Sequence, residues 1–223
     1  MILTRNSHGK DILLAGQKSG DVYALDPDDG GRMIWQKKVG AGSFLGGVHW
    51  GMANADGKVF APISDPVFPT PHYYPKPGLY ALDVDDGSEV WSAPVERGCV
   101  TNMFDYFGRK NLYPDCAFYY GLSAVPVVVN DLVFAPSLDG KVRAFAVANG
   151  QQLWSYDTRR AYKTVNDVDA HGGSIDVAGV QAADRMIYVQ SGYSPFGELP
   201  GNVLLAFRLC DTDCADYEGG TAL

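Results

Sequence analysis

Basic residues, cysteine and long apolar runs are all scarce in this sequence. The chain has 18 Lys and Arg against 26 Asp and Glu, a net charge of −8, and its basic residues form no cluster. Such a surface repels a phosphate backbone, which argues against nucleic acid as a partner. No apolar run approaches the roughly 18 residues that cross a bilayer, so we expect no membrane span. Residues 1–6 lack the basic-then-apolar layout of a signal peptide, and we expect any export signal to be encoded upstream.

The four cysteines form two local pairs, Cys99 with Cys116 and Cys210 with Cys214. Their spacings of 17 and 4 residues do not match the usual zinc-binding patterns. An even count in a turn-rich protein favours two disulfides formed in an oxidising compartment. Free thiols and a metal site remain the alternatives.

Glycine and proline are abundant by contrast, at 26 and 13 residues. They are scattered among short apolar runs and not concentrated in one tract, as is typical of turns between strands. The composition therefore predicts an all-β chain.

One phrase recurs along the chain at a period of about 60 residues. A short strand centred on an alanine is followed by a glycine turn and then by a tryptophan, and the three examples are residues 22–35, 79–91 and 142–154. A fourth copy at 204–208 has no tryptophan after it. The marker alanines are Ala24, Ala81, Ala144 and Ala206, which gives steps of 57, 63 and 62 residues.

Each phrase predicts a β-hairpin, and two further apolar runs before it give every unit room for four strands. Sheets of this kind bury both faces only by stacking side by side, with the recurring tryptophan and alanine between them. We therefore predict a partial β-propeller over 1–209, with units at about 1–39, 48–93, 120–157 and 172–209, and a C-terminal tail at 210–223. A β-sandwich is the alternative, but it does not explain the repeat.

The repeated phrase resembles the tryptophan-docking repeat of pyrroloquinoline-quinone (PQQ) dehydrogenases, whose eight four-stranded antiparallel blades surround the cofactor. The segments 46–53, 163–166, 171–176 and 191–207 resemble the C-terminal half of polyvinyl-alcohol-dehydrogenase-type quinoproteins. The resemblance implies about half of an eight-bladed propeller. It also implies pairing with a missing N-terminal half, or self-association, because exposed blade faces are apolar liabilities.

The connections between predicted strands sort by length onto two sides of the propeller. In an antiparallel meander alternate connections lie on opposite sides, and the long ones, 40–47, 65–77, 94–119, 158–173 and 193–201, all fall on one side. Function is expected where a rigid scaffold holds long loops. The inner ends of these loops carry side chains that we expect to converge: His49, Trp50, Ser123, Ser174 and Asp176.

The resemblance implies roles for several of these residues. Lys163 and Asn166 would hold the quinone, Trp50 would stack on it, and Asp176 or Asp169 would be the catalytic base. His49, His171 and Ser174 would add cofactor contacts, and a Ca²⁺ ion could accompany the quinone. Each of these residues also has a purely structural interpretation, in core packing, in turns or on a solvated surface.

Two classes of function follow. The first is a fragment of a PQQ-dependent dehydrogenase that oxidises secondary alcohols, with a polymeric alcohol as one candidate substrate, and passes electrons to a cytochrome c in the periplasm or outside the cell. The second is a non-catalytic binding scaffold, like the outer-membrane assembly lipoprotein that shares the repeat without a cofactor. An incomplete gene product that is inactive without its other half is a third interpretation.

Overall fold

The computed structural model describes residues 1–65, 74–95, 121–194 and 197–208. Within these ranges the chain is built from β-strands and turns and contains no helix, and so none that could cross a membrane. The strands are β1 (Ile2–Arg5), β2 (Asp11–Gly16), β3 (Asp21–Asp26), β4 (Arg32–Lys38), β5 (Ala53–Ala55), β6 (Lys58–Ile63), β7 (Gly78–Asp83), β8 (Glu89–Pro94), β9 (Val127–Val129), β10 (Leu132–Pro136), β11 (Lys141–Ala146), β12 (Gln152–Asp157), β13 (Ala161–Tyr162), β14 (Ala170–His171), β15 (Val180–Ala183), β16 (Met186–Ser191) and β17 (Val203–Arg208).

Four antiparallel sheets follow one another along the chain. Sheet I contains β1–β4, sheet II β5–β8 and sheet III β9–β12, while sheet IV has three strands, β15–β17, among the described residues. Consecutive strands are hydrogen-bonded neighbours in every sheet, so each sheet is a simple meander. The predicted all-β fold with four-stranded antiparallel sheets is confirmed. A two-stranded ribbon, β13–β14, lies in the connection between sheets III and IV.

The backbone geometry recurs with the same period as the sequence phrase. The hairpin of the third and fourth strands carries a register shift immediately after the marker alanine in sheets I, II and III, at Ala24, Ala81 and Ala144. Each alanine pairs with the tryptophan of the phrase, namely Trp35, Trp91 and Trp154. The shift is a β-bulge, which increases the local twist of the hairpin.

Neighbouring sheets pack face to face through three apolar clusters. In two of these three contacts a tryptophan also donates a hydrogen bond to the next sheet. The indole Nε1 of Trp35 donates to the carbonyl of Val84 in sheet II at 2.9 Å, and that of Trp91 donates to Val147 in sheet III at 3.0 Å. Both rings are buried, so these hydrogen bonds satisfy groups that water does not reach.

A glycine lies under each of these two indoles. A Cβ on Gly87 would come within 2.6 Å of the Trp35 ring, and one on Gly150 within 2.5 Å of the Trp91 ring. Both glycines have a positive φ, +72° and +71°. Glycine is therefore required twice over, for the space and for the backbone conformation.

Sheet IV packs less tightly on sheet III. Trp154 meets the ring of Phe207 edge-on, with centroids 5.5 Å apart, and stacks on Tyr156, but its indole makes no hydrogen bond with a described residue. An apolar cleft of about 570 Å³ remains between the two sheets, lined by residues such as Val129, Phe134 and Ile187.

The first strands of neighbouring sheets contact one another in series: β1 with β5, β5 with β9, and β9 with β15. Asn54 of β5 also donates a hydrogen bond from Nδ2 to Oγ1 of Thr4 in β1, at 3.0 Å. The first strand of each sheet is therefore the innermost, next to the axis around which the sheets are arranged.

Candidate functional site

Three equivalent segments lead into the innermost strands of sheets II, III and IV. In each, a buried aliphatic residue donates its backbone N–H to a carbonyl at the end of the second strand of the preceding sheet: Val48 to Gln17 at 3.0 Å, Leu122 to Ile63 at 3.1 Å, and Ile175 to Ser137 at 3.2 Å. These hydrogen bonds give the three segments the same path toward the axis.

The residue after each aliphatic anchor is polar, and it lies four residues before the innermost strand. These residues are His49, Ser123 and Asp176. All three line one small space, together with Leu45, Ser64, Leu138 and Glu198. The structure therefore brings together side chains from three sheets that lie far apart in sequence. We name His49, Ser123 and Asp176 the axial cluster.

The axial cluster has one formed hydrogen bond and one unpaired acceptor. Nδ1 of His49 is 2.7 Å from Oγ of Ser123, a normal hydrogen-bond distance. Asp176 is 4% exposed, and its buried Oδ1 has no hydrogen-bond partner among the described residues. A buried carboxylate oxygen without a partner is costly, and in native proteins it commonly marks a site for water, an ion or a reacting group.

The electrostatics of His49 reflect this setting. Burial lowers the pKa of His49 below its ordinary value of 6.5, and the Lys18 cation lowers it further. The Asp176 carboxylate acts in the opposite direction but is the smallest of the three influences. His49 is therefore a neutral imidazole at pH 7, able to accept a proton at one ring nitrogen and donate at the other.

Trp50 lies beside the axial cluster with much of its ring open to solvent. Its ring centroid is 4.9 Å from that of His49 with the planes tilted by 32°, and its side chain is 43% exposed. This indole presents a flat aromatic face to solvent next to His49.

The predicted residues of the loop between sheets III and IV do not join the axial cluster. Lys163, Asn166, Asp169 and His171 are all exposed. The tip of this loop is closed locally, since Oγ1 of Thr164 bonds both the carbonyl and the N–H of Val168. The base of the loop is held by Asn202, which donates to the carbonyl of Asp169 and exchanges hydrogen bonds with the backbone of His171.

Ser174 is buried, and its hydroxyl is already engaged. Oγ donates to the carbonyl of Leu138 at 2.5 Å and accepts the N–H of Leu199 at 3.0 Å. These contacts join sheets III and IV and leave the hydroxyl little capacity for a ligand. Cys99, Cys116, Cys210 and Cys214 lie outside the described residues.

Sequence reasoning missed Asp65, the residue that shapes one side of the site. Its fully buried carboxylate accepts four backbone N–H groups, from Ala41, Gly42, Gly47 and Lys76, at 2.6 to 3.1 Å. It therefore ties two long loops together just before His49. Ser64 and Glu198, which line the axial space, were missed as well. The signal available in the sequence was a polar residue directly after an apolar strand, and it is weak.

Comparison with known proteins decides the family. Residues 18–192 match the PQQ_2 family, described as outer membrane protein assembly factor BamB. The chain belongs to this family. Two polyvinylalcohol dehydrogenases match 93% of this chain, one from Pseudomonas sp. at 41% identity and one from Sphingopyxis sp. (strain 113P3) at 38%. The chain spans 32% of the length of each.

Solved structures agree with a PQQ-type propeller fold. BamB from Moraxella catarrhalis matches 94% of this chain over 50% of its own length, with a TM-score of 0.53 and 16% identity. Quinohemoprotein alcohol dehydrogenase from Comamonas testosteroni matches 81% of this chain over 28% of its own, with a TM-score of 0.54 and 15% identity. The resemblance to quinoprotein propellers is confirmed, and at these identities the solved structures speak for the fold alone. This chain is thus similar both to proteins named as dehydrogenases and to proteins named as assembly factors.

Proposed function

We propose that this chain forms part of a PQQ-dependent alcohol dehydrogenase, in which the axial cluster handles the proton of the substrate hydroxyl. The observation that carries the proposal is the unpaired, buried Oδ1 of Asp176 beside the neutral His49. The names of the relatives that match nearly the whole chain support an alcohol as substrate. Oxidation of secondary alcohols, including those of a polymer, is part of this proposal.

The residues of the site fit a quinone in two respects. Its planar ring system needs an aromatic surface to stack on, and the exposed face of Trp50 is one. Alcohol oxidation needs a base, and Asp176 has an oxygen free to accept a proton. The enclosed space between the axial residues is only about 10 Å³, room for about one water molecule, so a quinone would lie outside it, against Trp50.

Two bonds of the alcohol break in this reaction, the C–H bond at the carbinol carbon and the O–H bond. When bound, the quinone supplies a two-electron acceptor for the hydrogen on the carbinol carbon. Because the space beside Oδ1 of Asp176 has room for about one water molecule, the hydroxyl proton would pass to Oδ1 through such a water, and the carbonyl product forms as the O–H and C–H bonds break. His49, hydrogen-bonded to Ser123, is placed to exchange that proton with solvent. A cytochrome c would be the acceptor of the electrons, and this is part of the same proposal.

Other assignments remain part of the proposal. Lys163 and Asn166 lie exposed on their loop, where an ammonium and an amide can meet the carboxylates of a quinone. Asp169, on the same exposed loop, is the weaker candidate for the base because it lacks the burial of Asp176. Among the residues that the structure describes, no group of three acidic, His or Cys side chains could hold a metal, and we assign no Ca²⁺ ligand.

Location and assembly follow from the same proposal. The polyvinylalcohol dehydrogenase and BamB relatives favour a periplasmic or secreted protein. Since the chain spans about a third of the dehydrogenases it matches, a closed eight-bladed ring would need further blades, and we propose pairing with them to complete the cofactor site.

A non-catalytic scaffold is the second candidate. The small enclosed space of the axial cluster and the family description as an assembly factor favour it. On this alternative the buried polar groups stabilise the loops, and the long-loop side binds protein.

Activity is best measured in a complete enzyme. We would replace the matched part of the Pseudomonas polyvinylalcohol dehydrogenase by this chain and follow dye-linked oxidation of polyvinyl alcohol with added PQQ and Ca²⁺. Asp176→Asn should lower kcat by roughly 10² to 10⁴, the usual contribution of a general base. Asp169→Asn is the matched control and should change kcat less than about threefold.

Two results would contradict the enzyme proposal. A folded chimera that takes up no quinone, measured by equilibrium dialysis, favours the scaffold. An Asp176→Asn variant that keeps its quinone and more than half of kcat removes Asp176 from the reaction.

A further inference from the structure

Strongly exposed aromatic side chains are confined to one side of the molecule. Among the described residues there are four of them: Phe44, Trp50, Tyr74 and Tyr193. All four lie in the connections 39–52, 64–77 and 192–202, which belong to the long-loop side. The described strands and short turns carry no strongly exposed aromatic ring. A distribution of this kind indicates a binding surface and not scattered exposure.

Phe44 is 70% exposed, yet its backbone is fixed by hydrogen bonds on both sides. It lies in a turn closed by Gly46, which donates its N–H to the carbonyl of Ser43 at 3.2 Å. Lys18 accepts the N–H of Ser43 at 3.1 Å and donates from Nζ to the carbonyl of Phe44 at 3.0 Å. The next residue, Leu45, lines the axial space. The turn therefore holds an exposed phenyl ring at the edge of the axial cluster.

Tyr193 belongs to the opposite side of the axial cluster, in sheet IV. Its neighbour Gly192 donates its N–H to the carbonyl of Ser174 at 2.8 Å, and Ser174 is two residues before Asp176. Phe44 belongs to the loop that enters the cluster from sheet II. The segments of Phe44 and Tyr193 thus approach the axial space from different sheets, and the cluster lies between them.

Tyr74 extends the same surface beyond Phe44. Lys76, two residues later, donates its N–H to the carboxylate of Asp65 at 3.0 Å, and that carboxylate also accepts N–H groups on both sides of Phe44. Asp65 therefore places the two loops side by side. The hydroxyls of Tyr74 and Tyr193 make no hydrogen bond with a described residue, so each offers a donor and an acceptor to a ligand. We name Phe44, Tyr74 and Tyr193 the aromatic rim.

The loops of the aromatic rim are poor in charge, although 20% of the chain is charged. Residues 39–55 and 186–197 contain no Lys, Arg, Asp or Glu. The ammonium of Lys18, which reaches this region, is bonded to the carbonyl of Phe44. A charged ligand would lose hydration here without gaining a partner of opposite charge, whereas an uncharged ligand would not. The rim therefore suits an uncharged ligand.

The spacing of the rings favours an extended chain over a folded protein as that ligand. Glycine and serine surround the rings along their loops, at 40–47 and 191–194. A stable protein interface has a contiguous apolar core that is fully buried. An extended chain needs only one flat ring for each segment, because its CH groups contact the aromatic face while its hydroxyls meet polar groups nearby.

We propose that the aromatic rim binds an uncharged polymer with a hydrocarbon backbone and hydroxyl side groups, and lays it across the axial cluster. Phe44 and Tyr193 hold the chain on either side of Asp176, and Tyr74 extends the contact outward. The role of the rim in presenting a substrate hydroxyl rests on the proposed function, whereas binding itself does not. Affinity grows with chain length, since only a long chain reaches all three rings.

The test measures binding to the full chain without quinone, so that turnover plays no part. Polyvinyl alcohol, pentane-2,4-diol and poly(acrylic acid) are titrated by isothermal titration calorimetry and compared at equal concentrations of repeat units or hydroxyl groups. We expect polyvinyl alcohol to bind at least about tenfold more tightly than the short diol, which contacts one ring at a time. Poly(acrylic acid) has the same backbone with carboxylates in place of hydroxyls, and should bind at least about tenfold more weakly than polyvinyl alcohol.

Variants of the rim locate the contact. Phe44→Ala and Tyr193→Ala should each weaken the binding of polyvinyl alcohol by about 2- to 10-fold, the range for one aromatic contact. Phe44→Tyr and Tyr193→Phe keep the rings and should bind within about twofold of the parent chain. Leu204→Ala is the matched control, because Leu204 is 69% exposed but lies on β17, away from the long loops, and its variant should bind as the parent does.

Four results would overturn the proposal. The parent chain binds no polyvinyl alcohol, the two alanine variants bind it as tightly as the parent, or poly(acrylic acid) binds equally well. In the fourth, the parent chain self-associates in sedimentation and Phe44→Ala dissociates it without affecting polymer binding, which assigns the rim to a protein interface. Failure of the proposed function is a separate outcome: a chimera that oxidises no alcohol, while the chain still binds polymer through the rim, supports the binding surface and removes only the enzyme.

Discussion

Adding one methyl group at Gly150 tests how the sheets are held together. A Cβ at this position would lie 2.5 Å from Cε3 and 2.7 Å from Cδ2 of Trp91. The indole cannot retreat without losing its 3.0 Å hydrogen bond to Val147. Overpacking of this kind costs about 1–3 kcal/mol.

The backbone adds a second cost that must be separated from the first. At φ +71° an alanine is strained by about 1–2 kcal/mol. Gly57→Ala is the matched control, since Gly57 has φ +69° and open space around its Cβ, so it carries the strain without the steric contact. The difference between the two variants isolates the contact with Trp91.

The expected result is a clear difference in unfolding free energy. Gly57→Ala should lose about 1–2 kcal/mol, and Gly150→Ala should lose a further 1–3 kcal/mol or so, a difference in Tm of roughly 2–12 °C for a chain of this size. Urea unfolding followed by tryptophan fluorescence measures both, and an unchanged m-value verifies that the same unfolding is compared. Equal losses in the two variants would refute the role of Gly150 as a seat for Trp91.

Three further substitutions test other parts of the structure by the same urea assay. Trp35→Phe keeps an aromatic ring but leaves the carbonyl of Val84 without its donor, and should cost about 1–3 kcal/mol. Asp65→Asn replaces the carboxylate that accepts several backbone N–H groups by an amide, whose NH₂ would face some of those donors. It should lower the free energy of unfolding by at least about 2 kcal/mol, and a loss under about 0.5 kcal/mol would contradict the assigned role. Ser191→Ala removes a hydroxyl bonded to the loop at Gly173 and should cost about 1–3 kcal/mol, while the exposed Ser155→Ala should be neutral.

The architecture could be predicted because its determinants are local and repeated. The alanine that pairs with a tryptophan and the glycine four residues before that tryptophan occur at fixed spacing in the sequence, and both positions are set within a single hairpin. The convergence of His49, Ser123 and Asp176 could also be anticipated. Each follows a buried aliphatic residue at a constant distance before a strand, so repeat geometry alone places it.

The features that could not be predicted depend on contacts between residues far apart in sequence, or on contacts that do not recur in the repeat. Asp65 is recognised only once two loops, one with Ala41, Gly42 and Gly47 and one with Lys76, place their N–H groups around its carboxylate. No sequence pattern encodes this arrangement. The resemblance to quinoproteins implies that Lys163 and Asn166 share a cofactor site with Asp176, an assignment that remains a proposal. Their loop closes on itself through Thr164, and both side chains are exposed, so no contact among the described residues places them in the site.

The central claim is that sheets II, III and IV bring His49, Ser123 and Asp176 together, and the pKa of His49 reports on this directly. An NMR titration of the imidazole should give a pKa below 6.5, which falls further in Asp176→Asn and rises in Lys18→Met. Because the unfolded chain binds this proton more readily, the stability contributed by the neutral imidazole should be lost as pH falls below about 6.5. A His49 pKa at or above 6.5 that Asp176→Asn leaves unchanged would contradict the account.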